Sequence, residues 1–152
     1  MKISDRHFYR QQGVMLLEAL IALLIFSIGI LAIVALQASS IKLASDSKYR
    51  SDANMLANQL IGQMWLAHSS PTFVNDFSTG GTLYNAWVAS SVTPTIPITG
   101  VSAPSVTIAQ SAIPAASSIS SAVSIDIYWN VPGENPNGAS AHRFNTSTQI
   151  TN

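Results

Sequence analysis

Three residues near the N-terminus, Gly13, Val14 and Glu18, have types and a spacing that could do chemistry. Glu18 is the only charged residue of the apolar run from Val14 to Leu36. A carboxylate in a membrane-length segment costs about 2.5–3.5 kcal/mol at mid-helix and less near an edge. Ion pairing is the chemistry open to such an acid, so a partner or a process should require it.

The surrounding segments place this acid near the start of a spanning helix. Residues 1–13 form a polar leader with three basic residues, and residues 14–36 would rise about 34 Å as a helix, enough for a hydrocarbon core of about 30 Å. The basic residues flanking the span favour a cytoplasmic leader only mildly. One alternative for the segment is a secretory signal peptide, although the apolar run is long for one. An alternative for Glu18 is an acid that merely lies at the membrane interface, with its carboxylate among the lipid headgroups.

Composition excludes several function classes. The chain is formally neutral, with seven basic and seven acidic residues, so no broad basic surface favours nucleic acid. Only 9% of residues are charged and none lies between Asp76 and Asp126, a profile that suits an extracytoplasmic domain. There is no cysteine, so neither a disulfide nor a thiolate metal site can form.

Candidate chemistry beyond the span is thin. The three histidines, His7, His68 and His142, are scattered without a carboxylate cluster, and we expect no metal and no cofactor. A C-terminal hairpin could bring Asp126 and Glu134 together, but such acids are usually solvated surface. No nucleophile elbow or phosphate-binding glycine loop occurs, so the sequence predicts a protein that is not an enzyme.

Residues 37–68 continue the helix as an amphipathic segment. The predicted apolar stripe comprises Ile41, Ala44, Ala53, Leu56, Ala57, Leu60, Ile61, Met64, Trp65 and Ala67. Three i,i+4 pairs of opposite charge, Lys42 with Asp46, Asp46 with Arg50, and Lys48 with Asp52, mark the exposed side. The helix should end near Ala67 to His68, before Ser69-Ser70-Pro71, after about 80 Å.

Residues 69–152 should form a β-rich head, so the fold class is α+β. The clearest strand runs from Val123 to Val131, with alternate residues facing a core. A turn-rich segment then leads to a second alternating run, Arg143 to Ile150. Leu83 to Ala89 and Val92 to Ile98 are weaker strand candidates. Residues 101–121 should be an irregular excursion with one short strand at Val106 to Ala109.

Gly13, Val14 and Glu18 resemble the type IV pilin-like proteins with class III leaders. In that family a basic leader ends in glycine, a hydrophobic residue is the first mature position, and glutamate is the fifth. The resemblance implies that a membrane-embedded prepilin peptidase cuts after Gly13 and methylates Val14, although phenylalanine or methionine is commoner there. Glu18 would then lie one turn from the new amine at Val14, and in family filaments the pairing is thought to join neighbouring subunits.

The helix itself is most similar to PilV-type minor pilins, also called type IV pilus modification proteins. The residues that carry this are Phe26-Ser27-Ile28-Gly29-Ile30-Leu31 and Ala35-Leu36-Gln37, together with the absence of proline from Val14 to His68. The resemblance implies a pilin-like fold, in which the second half of a long N-terminal helix packs on a small antiparallel sheet. Many major pilins have a disulfide-closed C-terminal region, which cannot exist here.

Two function classes follow. The first class is a minor pilin that helps to prime or cap pilus assembly, anchored in the inner membrane with a periplasmic head. Its partners would be other minor pilins, the major pilin and an inner-membrane assembly platform. A type II secretion pseudopilin is the alternative within this class. The mature chain would carry four basic residues against six acids, which argues against direct DNA uptake. The second class is a single-pass periplasmic binding or sensing module that keeps its N-terminus.

Overall fold

A computed structural model describes residues 12–113, 118–134 and 142–151, and within them the chain is α+β. The elements in chain order are helices α1 (Gln12–Ala67), α2 (Phe73–Phe77) and α3 (Thr82–Trp87), a π-helical segment (Val88–Val92), helix α4 (Thr93–Thr95), and strands β1 (Ser105–Ile113), β2 (Ser118–Trp129) and β3 (His142–Thr151). The chain divides into two compact units, Met1–Ile41 and Lys42–Asn152, and each is described by itself.

Helix α1 ends at Ala67, as the sequence predicts. The Ser70 amide donates to the Ala67 carbonyl (2.9 Å), and Pro71 follows, which disfavours helical backbone at the residue before it. At its other end α1 begins at Gln12, two residues before the predicted mature start at Val14. Residues 1–11, which make up most of the predicted leader and include His7, lie outside the described residues.

The core of the second unit joins one stripe of α1 to the inner face of the sheet. From α1 it takes residues at i, i+3, i+4, i+7 and i+11, each at most 2% exposed: Ala53, Leu56, Ala57, Leu60 and Met64. From β2 it takes Val123, Ile125, Ile127 and Trp129. These parts of the predicted stripe and of the strand alternation are confirmed. Ile41, Ala44 and Trp65 are exposed, contrary to prediction. Trp65, at 44% exposure, lies about 100° around the helix from the buried Met64.

The sheet is antiparallel in the order β1-β2-β3. Register runs from Ser105 opposite Asp126 along β1 and β2, and from Trp129 opposite His142 along β2 and β3. Both predicted C-terminal strands are confirmed, and β2 begins five residues earlier than expected. The expected irregular excursion over 101–121 is wrong, since most of it is paired strand. Small residues such as Ser, Thr and Ala carry weak local signals that cross-strand pairing overrides.

The strand candidates Leu83 to Ala89 and Val92 to Ile98 are also wrong, because residues 82–95 are helical and residues 96–98 belong to no strand. Tyr84 and Trp87 are buried at a spacing of three, and Phe73 and Phe77 of α2 at a spacing of four, which are helical intervals. Pro94 lies in the first turn of α4, where its missing amide is tolerated. Its ring would clash with the carbonyl four residues earlier in a regular helix, which accounts for the π-helical turn before it.

A tight turn follows β2. The Glu134 amide donates to the Val131 carbonyl (3.1 Å), and Gly133 has a φ of 88°. A type II turn requires a positive φ at its third position and favours proline at its second, and Pro132-Gly133 fits both. The turn therefore fixes the backbone position of Glu134.

Candidate membrane and assembly segment

The first part of α1 presents apolar side chains to its surroundings on every face. The large hydrophobic residues from Val14 to Leu36 are between 46% and 75% exposed, and none of the most apolar 18-residue window is buried. Burying one such side chain contributes about 1.5–3 kcal/mol. The segment is long and apolar enough to cross a membrane, and either lipid or other apolar helices must cover it.

Val14 and Glu18 lie on one face of this segment. They line a shallow apolar groove along α1 together with Leu17, Ile21, Ala22 and Ile25, which recur at helical spacing. No side chain of the described residues donates a hydrogen bond or forms an ion pair with Glu18. The backbone nitrogen of Val14 is part of a peptide bond here, so cleavage after Gly13 is required before that position carries a charged amine.

Gly13 is one of the first described residues of α1 (Gln12–Ala67). The bond predicted to be cut, between Gly13 and Val14, is thus helical in the described structure. Local opening of the helix at this bond is the change that would give a protease an extended substrate.

Two small residues interrupt the large apolar side chains further along. Ser27 Oγ donates to the Leu23 carbonyl (2.7 Å), so its hydroxyl needs no partner outside the helix. A Cβ added at Gly29 would meet no atom within 4 Å. Gly29 therefore leaves a notch in the helix surface, at which a neighbouring apolar helix could approach closely.

Asp126 and Glu134 contact different basic side chains. Asp126 Oδ1 accepts from Arg143 Nη2 at 2.6 Å and from Asn145 Nδ2 at 2.8 Å across the outer face of the sheet. Hydrogen bonding to that carboxylate raises the pKa of Arg143. Glu134 instead contacts His142. The hairpin therefore gives Asp126 and Glu134 different partners and builds no acid pair from them.

His142 corrects one sequence expectation, because it does lie among carboxylates. Its Nδ1 is 2.8 Å from Asp46 Oδ1 and its Nε2 is 3.0 Å from Glu134 Oε2. Asp46 lies on α1, far from both in sequence, so no spacing rule could have found this cluster. His68 contacts the Trp65 carbonyl instead (2.7 Å). Within residues 12–113, 118–134 and 142–151, no group of three or more candidate ligands could hold a metal ion.

Comparisons of the chain with protein-family models, with curated proteins and with solved structures return no match.

Proposed function

We propose that this chain is a minor pilin, a structural subunit without catalytic activity that helps to prime or cap type IV pilus assembly. Three features support the proposal: the resemblance of Gly13, Val14 and Glu18 to a class III leader junction, the exposed apolar helix, and the α+β head. The proposed location is the bacterial inner membrane with a periplasmic head, and then the pilus.

The observation that carries the proposal is the shared face of Val14 and Glu18 on an uncovered apolar helix. Cleavage after Gly13 by a prepilin peptidase would leave an amine at Val14, one turn from the carboxylate. In an apolar bundle both charges need partners, because a desolvated charge left alone costs several kcal/mol. Pairing of Glu18 with the amine of a neighbouring subunit would satisfy both and set the axial register of the new subunit.

The partners that this mechanism requires are other minor pilins, the major pilin, the prepilin peptidase and an inner-membrane assembly platform. The apolar groove beside Glu18 and the notch at Gly29 are surfaces suited to packing of neighbouring helices. Nucleic acid is not among the proposed partners, since the chain carries no net positive charge.

Replacement of Glu18 tests the pairing. We expect Glu18→Ala and Glu18→Gln to be processed normally but to enter filaments about tenfold less or worse, because breaking a buried ion pair costs about 3–5 kcal/mol. The measurement is the amount of the chain in sheared pili relative to membranes. Met15→Ala is the matched control, since Met15 is also exposed but is not part of the Glu18 groove. Incorporation of Glu18→Ala at the wild-type level would refute the assignment.

The mature N-terminus separates the two function classes. Intact-mass measurement of the membrane-extracted protein should show a chain beginning at Val14, with the added mass of a methyl group if the peptidase also modifies it. A chain that keeps residues 1–13 would instead indicate a single-pass binding or sensing module. Co-purification with secretion components rather than pilus components would assign the chain to a type II secretion pseudopilus.

A further inference from the structure

His142 is held between two carboxylates that come from different parts of the second unit. Asp46 lies on α1, Glu134 ends the turn after β2, and His142 is the first residue of β3. The side chains of Asp46, Glu134 and His142 are only 24%, 23% and 27% exposed. One imidazole ring thus connects a helix, a turn and a strand, and it is largely screened from solvent.

The two contacts together require a proton on each ring nitrogen. An ionised carboxylate only accepts hydrogen bonds, and a neutral imidazole has a single N–H donor. With Nδ1 at 2.8 Å from Asp46 and Nε2 at 3.0 Å from Glu134, both hydrogen bonds exist only for the imidazolium. Loss of one proton turns a nitrogen lone pair toward a carboxylate oxygen and replaces a charge-assisted hydrogen bond with repulsion.

When the His142 ring loses one proton, the neighbouring groups favour keeping its contact with Asp46. Trp129 Nε1 donates to the same Asp46 oxygen (3.2 Å), and Arg50 Nη2 lies 3.8 Å from its other oxygen. The Trp129 ring stacks on the His142 ring at 5.8 Å with an interplanar angle of 17°. Among the described residues, the charged groups here are Asp46 and Arg50 of α1, Glu134 and His142. Their formal charges cancel when His142 is protonated and sum to −1 when it is neutral.

We propose that His142 is a pH-operated latch between α1 and the two ends of the β2–β3 connection. The protonated ring of His142 binds Glu134 and Asp46 at the same time. It thereby joins Glu134 and His142, which flank residues 135–141, and links both to α1. When the ring loses one of its two N–H protons at higher pH, the Nε2 contact to Glu134 opens while Nδ1 keeps its hydrogen bond to Asp46. The latch rests on contacts within the second unit alone and does not depend on the proposed pilus function.

The latch is tested on the full-length protein in detergent micelles by hydrogen exchange at pH 5.5 and 8.0, corrected for intrinsic rates. Histidine changes charge in this range, whereas Asp and Glu generally stay ionised. The readout is the Glu134 amide, which donates to the Val131 carbonyl. We expect its protection to fall roughly tenfold or more from pH 5.5 to 8.0, in keeping with the loss of one charge-assisted hydrogen bond.

Matched variants assign the effect to His142. In His142→Gln the protection of Glu134 should be low at both pH values, and in Glu134→Gln, which leaves the Asp46 contact in place, the pH dependence should also vanish. His68→Gln is the control, since it removes a different histidine, one that contacts the Trp65 carbonyl, and it should behave as wild type. Equal protection at both pH values in the wild type, or pH dependence retained in Glu134→Gln, would overturn the latch.

Discussion

Two carboxylates on α1, Asp46 and Glu18, lie in opposite environments. Asp46 accepts from Trp129 and His142 and lies near Arg50, so its charge is balanced within the fold. Glu18 has no such partner among the described residues and stands on an apolar face. Since a carboxylate in apolar surroundings needs a cation, this difference is the reason for proposing that Glu18 pairs with another molecule, whereas the contacts of Asp46 lie within one chain.

Replacement of Tyr84 tests the contribution of a buried hydrogen bond to the stability of the head. Its hydroxyl donates to the buried carbonyl of Pro104, and Tyr84→Phe leaves that carbonyl without its donor. We expect the free energy of unfolding to fall by about 1–3 kcal/mol, as for other orphaned buried groups. Denaturant unfolding of the full chain measures this. Tyr128→Phe on the outer face of the sheet is the control and should change stability by less than about 0.5 kcal/mol.

The same phenol gives the head a sensitivity to alkali. Burial raises the pKa of Tyr84 above its ordinary value of 10.0. The unfolded chain therefore releases this proton first, so the contribution of Tyr84 is fully present below about pH 10 and is lost as the pH rises further. Tyr84→Phe should flatten the decline in melting temperature between pH 9 and 11. An equal decline in the variant would show that Tyr84 is not responsible.

At the scale of elements, two glycines should respond to the same substitution in opposite ways. A Cβ on Gly81, at the start of α3, would collide with the carbonyl oxygens of Asn75 and Asp76, whereas one on Gly62 in α1 meets no atom within 4 Å. We expect Gly81→Ala to destabilise the head by about 1–3 kcal/mol through overpacking. Gly62→Ala should stabilise it by roughly 0.5–1 kcal/mol, because alanine is the better helix former.

The measurement for this pair is the melting temperature of each variant in the same detergent. A Gly81→Ala chain as stable as wild type would mean that the backbones of α2 and α3 can separate without cost. A destabilising Gly62→Ala would mean that the exposed face of α1 at Gly62 is covered by something that a methyl group displaces.

Elements also differ in how far their sequences reveal them. The end of α1 and the alternation of β2 were predictable, because breaker residues and period-2 burial act over a few neighbours. The helical state of residues 82–95 was not, since Pro94 and the nearby Pro97 suggest an edge strand. The burial of Tyr84 and Trp87 decides it, and local propensity yields to that packing.

At the scale of the whole molecule, the uncharged sheet edge predicts self-association of the isolated head. In the order β1-β2-β3, and among the described residues, the outer edges of β1 and β3 lack a strand partner. Strand β1 has no charged residue and no proline, the features that usually protect an edge. We expect a fragment of residues 42–152 to associate at high concentration, as measured by sedimentation velocity.

A single lysine on that edge should suppress the association. Ala109→Lys places a charge on exposed β1, while the control Asn58→Lys adds the same charge on the exposed side of α1. A fragment that stays monodisperse at high concentration would contradict the prediction. Equal suppression by both variants would attribute the effect to net charge and not to the strand edge.

The sequence by itself determined the apolar segment with its lone acid, the end of α1 and the core-facing strand of the head. Each of these depends on residues within a few positions of one another, through helical or strand periodicity. Only the tertiary structure decided that His142 meets Asp46 and Glu134, because that contact requires the register of Trp129 opposite His142 and the packing of α1 on the sheet. Spacing along the chain contains no information about such a meeting, since the fold alone brings distant residues together.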